Sequence, residues 1–340
     1  MTRRYLFFFA VTVSILLGPV ALLSFIFECN DGDLTRIGGY AEHDFGWNNL
    51  QPVLQLVRNG KSITSSDVLV LGDSFSRGNI WQSVLAEKLN QKILSFHYNQ
   101  VGCITNWLAY ALKSSARTVA IEFIERDFLN HFGHLVACRS QDPIPFEFLA
   151  TNTVATRLKG PPELHIMQTF LVAWNTFVMN LIPNAAVRGH INSMGEDVIN
   201  APIKKGCAKF SNRRADRLLY LRQDENKLRW TSEDMERAIA KITQIQMTLA
   251  VQGKRFILIV VPDKLSVYQD CLTNDIALEA RKRINITRLL IASGVNTPDL
   301  LGAFHDNKNK IVDLYSPNNT HLSVSGYIFM ANQVEHLFNR

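Results

Sequence analysis

The sequence has no CxxC pair and no histidine-rich spacing, so no metal site is expected. His131-x-x-His134 alone reads as two polar surface residues. A dense Lys/Arg run with interleaved aromatics is also missing, which removes the usual footprint of a nucleic-acid partner. No internal repeat or low-complexity tract is present, which excludes a solenoid. Cysteine is sparse. Five residues, at 29, 103, 138, 207 and 271, allow at most two bridges in an oxidising compartment. Cys138 and Cys207 bracket the least regular part of the chain and are a candidate clip. What remains is ordinary for a globular chain: 340 residues, 47% hydrophobic, formal charge +6. That length fits one large domain or two modest ones. The mildly basic balance tolerates an anionic polysaccharide or a membrane surface and demands neither.

Charge is absent from Tyr5 to Phe27, YLFFFAVTVSILLGPVALLSFIF. As a helix rising about 1.5 Å per residue, this run crosses a hydrocarbon core of roughly 30 Å. Arg3 and Arg4 precede it; Glu28, Asp31 and Asp33 follow. The positive-inside rule puts residues 1 to 4 in the cytoplasm and everything after residue 28 outside. The run is long for a signal peptide, and no small-x-small site precedes Glu28. The expectation is a cytoplasmic stub and single-pass anchor over residues 1–28. It would sit in the inner (cell) membrane, with the rest facing the periplasm or cell exterior. Residues 29–66 are polar and loop-rich and read as a linker.

From residue 67 the pattern alternates. Asp67 to Leu71, Lys92 to Phe96 and Arg117 to Ile124 read as strands. Asn79 to Asn90 and Trp107 to Lys113 read as helices, with a turn at Asn99-Gln100-Val101-Gly102. Residues 133–230 break the pattern and read as an insertion; its apolar run Ile166 to Pro183 reads as a packed or interfacial helix. Alternation resumes with a capped helix from Thr231 to near Gly253 and a strand from Phe256 to Val261. A helix from Ile276 to Ser293 and a short strand from Asn296 to Leu301 follow. Such alternation predicts an α/β fold: a parallel sheet between two helical layers, over residues 67–340.

Two stretches carry chemistry. "VLVLGDSF", residues 68 to 75, places Ser74 just past the carboxyl end of a strand, where open parallel sheets hold ligands. By residue type alone it is a turn as readily as a nucleophile. A serine nucleophile needs a base. Tyr315-Ser-Pro-Asn-Asn-Thr-His321, in a polar loop before the last helical pattern, offers one.

GDSF after the first strand, a glycine after the second and a late histidine loop resemble the SGNH (GDSL) hydrolase superfamily. Two more stretches, Ile121-Glu-Phe-Ile-Glu-Arg-Asp127 and Val261-Pro-Asp-Lys-Leu-Ser-Val-Tyr268, are similar to SGNH proteins of alginate and other polysaccharide O-acetylation, the AlgX/AlgJ type. The resemblance implies a three-layer flavodoxin-like domain. Its function would be an envelope protein moving acetyl groups from an acetylated donor to a glycan acceptor, through an acetyl-serine intermediate. It implies no cofactor, and a multispanning membrane O-acyltransferase as partner. Ser74, His321 and Asn319 would form the catalytic set. Ser74 and Gly102 would give oxyanion N–H groups, with Arg126 as third donor or substrate clamp, or else in a salt bridge with Glu122 or Glu125. Asp73, Lys264 and Tyr268 are candidate substrate contacts, although Asp73 also suits bracing the turn and the other two a structural place at a strand end.

The sequence departs from that pattern in three places. The histidine motif comes last, whereas in the alginate proteins it precedes the serine block. The third block lacks its Asn. The acid expected two or three residues before the histidine is Asn319 or Asn318. In the serine-protease case, Asp to Asn at that position costs about 10⁴ in turnover through the wrong histidine tautomer. A Ser74–His321 dyad, a distant acid such as Asp313 or Asp263, or a catalytically inactive glycan-binding scaffold are the alternatives, alongside a carbohydrate esterase or lipase of the same fold.

Overall fold

The computed structural model describes residues 2–26, 32–57, 60–101, 103–133, 197–273 and 285–339. Thirteen helices and six strands fall in these residues. In chain order they are α1 (Thr2–Ile26), α2 (Asp33–Gly38), α3 (Glu42–Phe45), β1 (Val68–Gly72), α4 (Ser74–Arg77), α5 (Ile80–Leu89), β2 (Ile93–His97), α6 (Tyr98–Val101), α7 (Ile104–Lys113), β3 (Thr118–Ile124), α8 (Phe128–Phe132), β4 (Val198–Pro202), β5 (Arg217–Leu221), α9 (Ser232–Val251), β6 (Arg255–Val261), α10 (Lys264–Tyr268), α11 (Ile286–Ala292), α12 (Leu300–Asn307) and α13 (Val324–Phe338).

Four strands make one parallel sheet in the order β2-β1-β3-β6. Its strands are aliphatic on both faces because both are covered. Alternate residues point to opposite sides. Val68, Val70, Ile257, Ile259 and Val261 pack with Trp81 and Leu85 of α5 and Met330 and Val334 of α13. Leu69, Leu71, Phe256, Leu258 and Val260 pack with Trp107 of α7, Phe128 of α8, and Ala238 and Ile242 of α9. The result is the expected α/β/α sandwich. From β1 the chain crosses to β2 on one side and then passes back over β1 to β3 on the other. This reversal opens a crevice beyond the carboxyl ends of β1 and β3, the usual ligand position in open α/β sheets.

Several expectations are revised. Asn296 to Leu301 is not a strand. Asn296 lies alongside β6, where its carbonyl accepts from Leu258 N–H (2.9 Å), and α12 then begins at Leu300. Part of the expected linker is folded: α2 and α3 bury Leu34 and Phe45 with Val198 and Leu219. Residues 197–230, inside the expected insertion, form the antiparallel pair β4–β5 and a 3-10 turn, Arg222–Arg229. The apolar run 166–183 lies outside the described residues. The clip is Cys207–Cys271, not Cys138 with Cys207; Cys103 is also disulfide-bonded. The capping box of α9 forms as read, with Thr231 and Asp234 exchanging side-chain and backbone hydrogen bonds.

The transmembrane reading of residues 5–27 gains no support here. Among the described residues no helix is long and apolar enough to cross a membrane. Residues 5–26 of the run lie in α1, 25 residues long, whose side chains are described only at 3–9, 11–15 and 18. Tyr5 (78%) and Leu6 (61%) are among its exposed side chains.

Candidate active site

Ser74 is the first residue of α4, one position beyond the Asp73 that caps it. Asp73 braces this turn. One carboxylate oxygen accepts from Phe75 N–H (2.8 Å), the other from Ile124 N–H at the end of β3 (2.7 Å). It therefore ties β1 to β3, the bracing role that its place in the turn also suits. Beneath the turn, Ser76 donates to Glu122 of β3 and accepts from Trp81 Nε1–H (3.1 Å). Burial, with Asp73 close by, pushes the Glu122 carboxyl well above the usual range. Phe75 is buried, so Ser74 alone of the turn's first three residues is left exposed.

The histidine loop crosses from the other side of the crevice. His321 Nε2 lies 2.8 Å from Ser74 Oγ. Its ring packs on Phe75, centroids 4.7 Å apart. Nδ1 lies 2.7 Å from Asn319 Oδ1 and 3.2 Å from Thr320 Oγ1. Burial lowers the imidazole pKa; Asp33 raises it and Arg126 lowers it further. Ser74, His321 and Asn319, the set that the resemblance implies, thus lie together in the crevice.

Lys264 holds this loop from below. Its buried Nζ donates to the carbonyls of Ser316 (2.9 Å), Pro317 (3.1 Å) and Asn319 (3.1 Å). Burial brings its pKa down to about 7. It supports the loop and has no surface to offer a substrate. Tyr268 is fully buried between Phe210 and Tyr315, ring centroids 5.1 and 6.2 Å away, so it too is a core residue and not a substrate contact.

Arg126 follows β3 and pairs with Asp224 (3.1 Å), not with Glu122 or Glu125. Its side chain is 12% exposed. Glu125 turns inward to Lys227, which also binds Asp263 and Ser266, a buried polar cluster beneath the loops. Gly102 lies outside the described residues. Asp313 accepts from Ser211 N–H (2.8 Å) and Ser211 Oγ (2.5 Å), and Asp263 is committed to Lys227, so neither substitutes for the missing acid.

The sequence reading missed Asp33 and Thr320. Asp33 Oδ2 lies 3.7 Å from His321 Nδ1. In sequence it reads only as one of the acids after the apolar run, and no motif spacing links residue 33 to residue 321.

Among the described residues, Cys207, Asp270 and Cys271 come within ligating distance of one another, but the two sulfurs are joined in the disulfide and are not thiolate ligands. His131, expected at the surface, packs at a tilt between Tyr98 and Phe123, centroids 4.3 and 5.3 Å away.

No curated protein and no solved structure matches the chain. Residues 215–339, which carry the lysine and histidine loops but not Ser74 or Arg126, match the family model of the SGNH hydrolase-like domain of acetyltransferase AlgX, in line with the resemblance the motifs raised.

Proposed function

We propose that this protein transfers acetyl groups to a polysaccharide or other glycan at the cell envelope through an acetyl-Ser74 intermediate. The carrying observation is the 2.8 Å separation of Ser74 Oγ and His321 Nε2, which is hydrogen-bond reach for a nucleophile and its base. The family match of residues 215–339 supports acyl chemistry on polysaccharide.

In the first step Nε2 takes the hydroxyl proton as Oγ attacks the acetyl carbonyl. The donor's C–O bond breaks, and the imidazolium returns the proton to the leaving oxygen. In the second step a glycan hydroxyl gives its proton to Nε2 and attacks the acetyl carbon; Oγ leaves and takes the proton back. Backbone N–H groups of Ser74 and Gly102 are assigned to the developing oxyanion. Arg126 binds Asp224 through Nη1, and the rest of its guanidinium is assigned to the acyl oxygen or the sugar.

The uncharged run 5–27 is assigned as an inner-membrane anchor beside a multispanning O-acyltransferase, with the domain on the periplasmic or outer side. The disulfide Cys207–Cys271 fits such an oxidising compartment.

The test is release of p-nitrophenol from p-nitrophenyl acetate by the purified full chain. Ser74→Ala is expected to abolish it, and full activity in that variant removes Ser74 from the reaction. A glycan acceptor that speeds turnover marks a transferase; turnover by water alone marks an esterase. A fluorophosphonate probe that fails to label Ser74 in a chain that still binds glycan marks an inactive scaffold.

A further inference from the structure

The two tasks of a triad acid are to fix the histidine tautomer and to place negative charge beside the imidazolium. Here they fall to different residues. We infer that Asn319 sets the tautomer and that Asp33, from the folded segment before the sheet, supplies the charge as a positioning residue for His321. The inference rests on the acyl-transfer reading of the Ser74 site.

The tautomer follows from hydrogen-bond accounting. Asn319 Oδ1 accepts from the His321 backbone N–H at 3.0 Å. A flipped amide would set NH₂ against N–H, so the carbonyl oxygen must face the loop. The same oxygen lies 2.7 Å from Nδ1, which therefore carries a proton. Thr320 Oγ1 agrees. Its proton goes to Asp33 Oδ2 at 2.5 Å, so toward Nδ1, 3.2 Å away, it offers only a lone pair. With Nδ1 protonated, Nε2 keeps the lone pair that the Ser74 hydroxyl needs. This is the reverse of the serine-protease case, where Asn leaves the histidine in the wrong tautomer.

Asparagine cannot balance the charge that then forms. Asp33 can, from 3.7 Å. No proton passes to it: the proton from Oγ stays on Nε2 until the leaving group takes it. Among the described residues Asp33 on α2 and Arg126 after β3 are the charged groups acting on the ring, with opposite effects. The position of Asp33 is built, not incidental. Asp33 Oδ1 accepts from Thr320 N–H (2.8 Å). Leu34 and Thr35 N–H both donate to Asn318 O (3.0 and 3.4 Å), and Asn318 Nδ2 donates to Glu42. A Cβ on Gly32 would overlap the Asn318 carbonyl, so only glycine lets the strap lie this close.

The experiment uses the full chain. Asp33→Asn keeps an acceptor for Thr320 and removes the charge. In p-nitrophenyl acetate turnover kcat/KM is expected to fall by about ten- to a hundredfold, less than the 10⁴ of a lost tautomer. The acid limb of the pH profile should move to lower pH, and adding Asn319→Asp to that variant should restore the rate. Independently, NMR titration of the His321 ring should show a lower pKa in Asp33→Asn. An unchanged His321 pKa, or a wild-type rate and limb in D33N, overturns the inference. The NMR readout does not depend on turnover, so it stands apart from the Ser74→Ala result that decides the acyl-transfer reading. Should D33N not fold, Asn319→Asp alone decides. With Asp33 already in place it should gain less than about threefold, and a gain approaching 10⁴ would show that no other residue supplied the charge.

Discussion

Gly72 closes β1 where there is no room for a side chain: a Cβ would overlap Ser76 Oγ and crowd Glu122. The glycine of the GDS stretch thus sets how deeply the Ser74 turn sits on β3. Gly72→Ala is expected to cost about 1–3 kcal/mol by overpacking and to cut esterase activity at least tenfold by lifting Ser74 from His321. Urea denaturation and p-nitrophenyl acetate kinetics check the two halves. His321 gives a second outcome. In the proposed reaction its neutral form is the base, and burial holds its pKa below the usual histidine value. Activity should therefore rise through a pKa under about 6.5 and be level at neutral pH. A kcat/KM profile still climbing between pH 7 and 8 would contradict this. At this scale Ser74, His321 and Asn319 were legible because their motifs are local. Asp33 was not, because its partner is on a loop almost three hundred residues away and only folding supplies the connection.

The histidine loop is held from below by one side chain. Lys264 Nζ satisfies three carbonyls at once, which also explains why a basic residue at a strand end looks like a substrate contact in sequence and is not one. Lys264→Met should leave these acceptors without donors, cost about 3 kcal/mol and disorder the loop. The expected signature is a larger fall in kcat/KM than in kcat, read by steady-state kinetics, with loss of the His321 ring contact to Phe75 in NMR spectra. The disulfide acts between elements. Cys207 lies before β5 and Cys271 just after α10, 64 residues apart, so the bridge clips the β4–β5 segment to the domain. The Cys207→Ser, Cys271→Ser pair is expected to lose about 2–4 kcal/mol of stability. Differential scanning calorimetry with and without reductant checks it. Strands β1, β2, β3 and β6 were readable because buried aliphatic runs admit few other structures. Asn296 to Leu301 misled because an extended segment hydrogen-bonded beside β6 has the same local composition as a strand.

At the scale of the whole molecule the layered fold was legible from alternation alone, but the boundary of the working unit was not. Polar, loop-rich composition at 29–66 signalled a spacer; what composition could not reveal is that α2 docks onto the loop carrying His321 through Asn318 and Thr320. Removing residues 1–28 should release the chain from membranes and leave p-nitrophenyl acetate turnover within about twofold. Removing residues 1–40, which takes Asp33 and α2 as well, should reduce turnover by at least the tenfold expected for Asp33→Asn. Sedimentation of membranes and turnover per active site distinguish the two truncations. α1 ends at Ile26 and α2 begins at Asp33, so the connection between them spans at most about 25 Å even when fully extended. With α1 in a bilayer, as proposed, that short leash would confine the chemistry to a thin shell over the lipid headgroups. A polymer would then be decorated as it emerges beside the protein, and material already released into solution would escape modification.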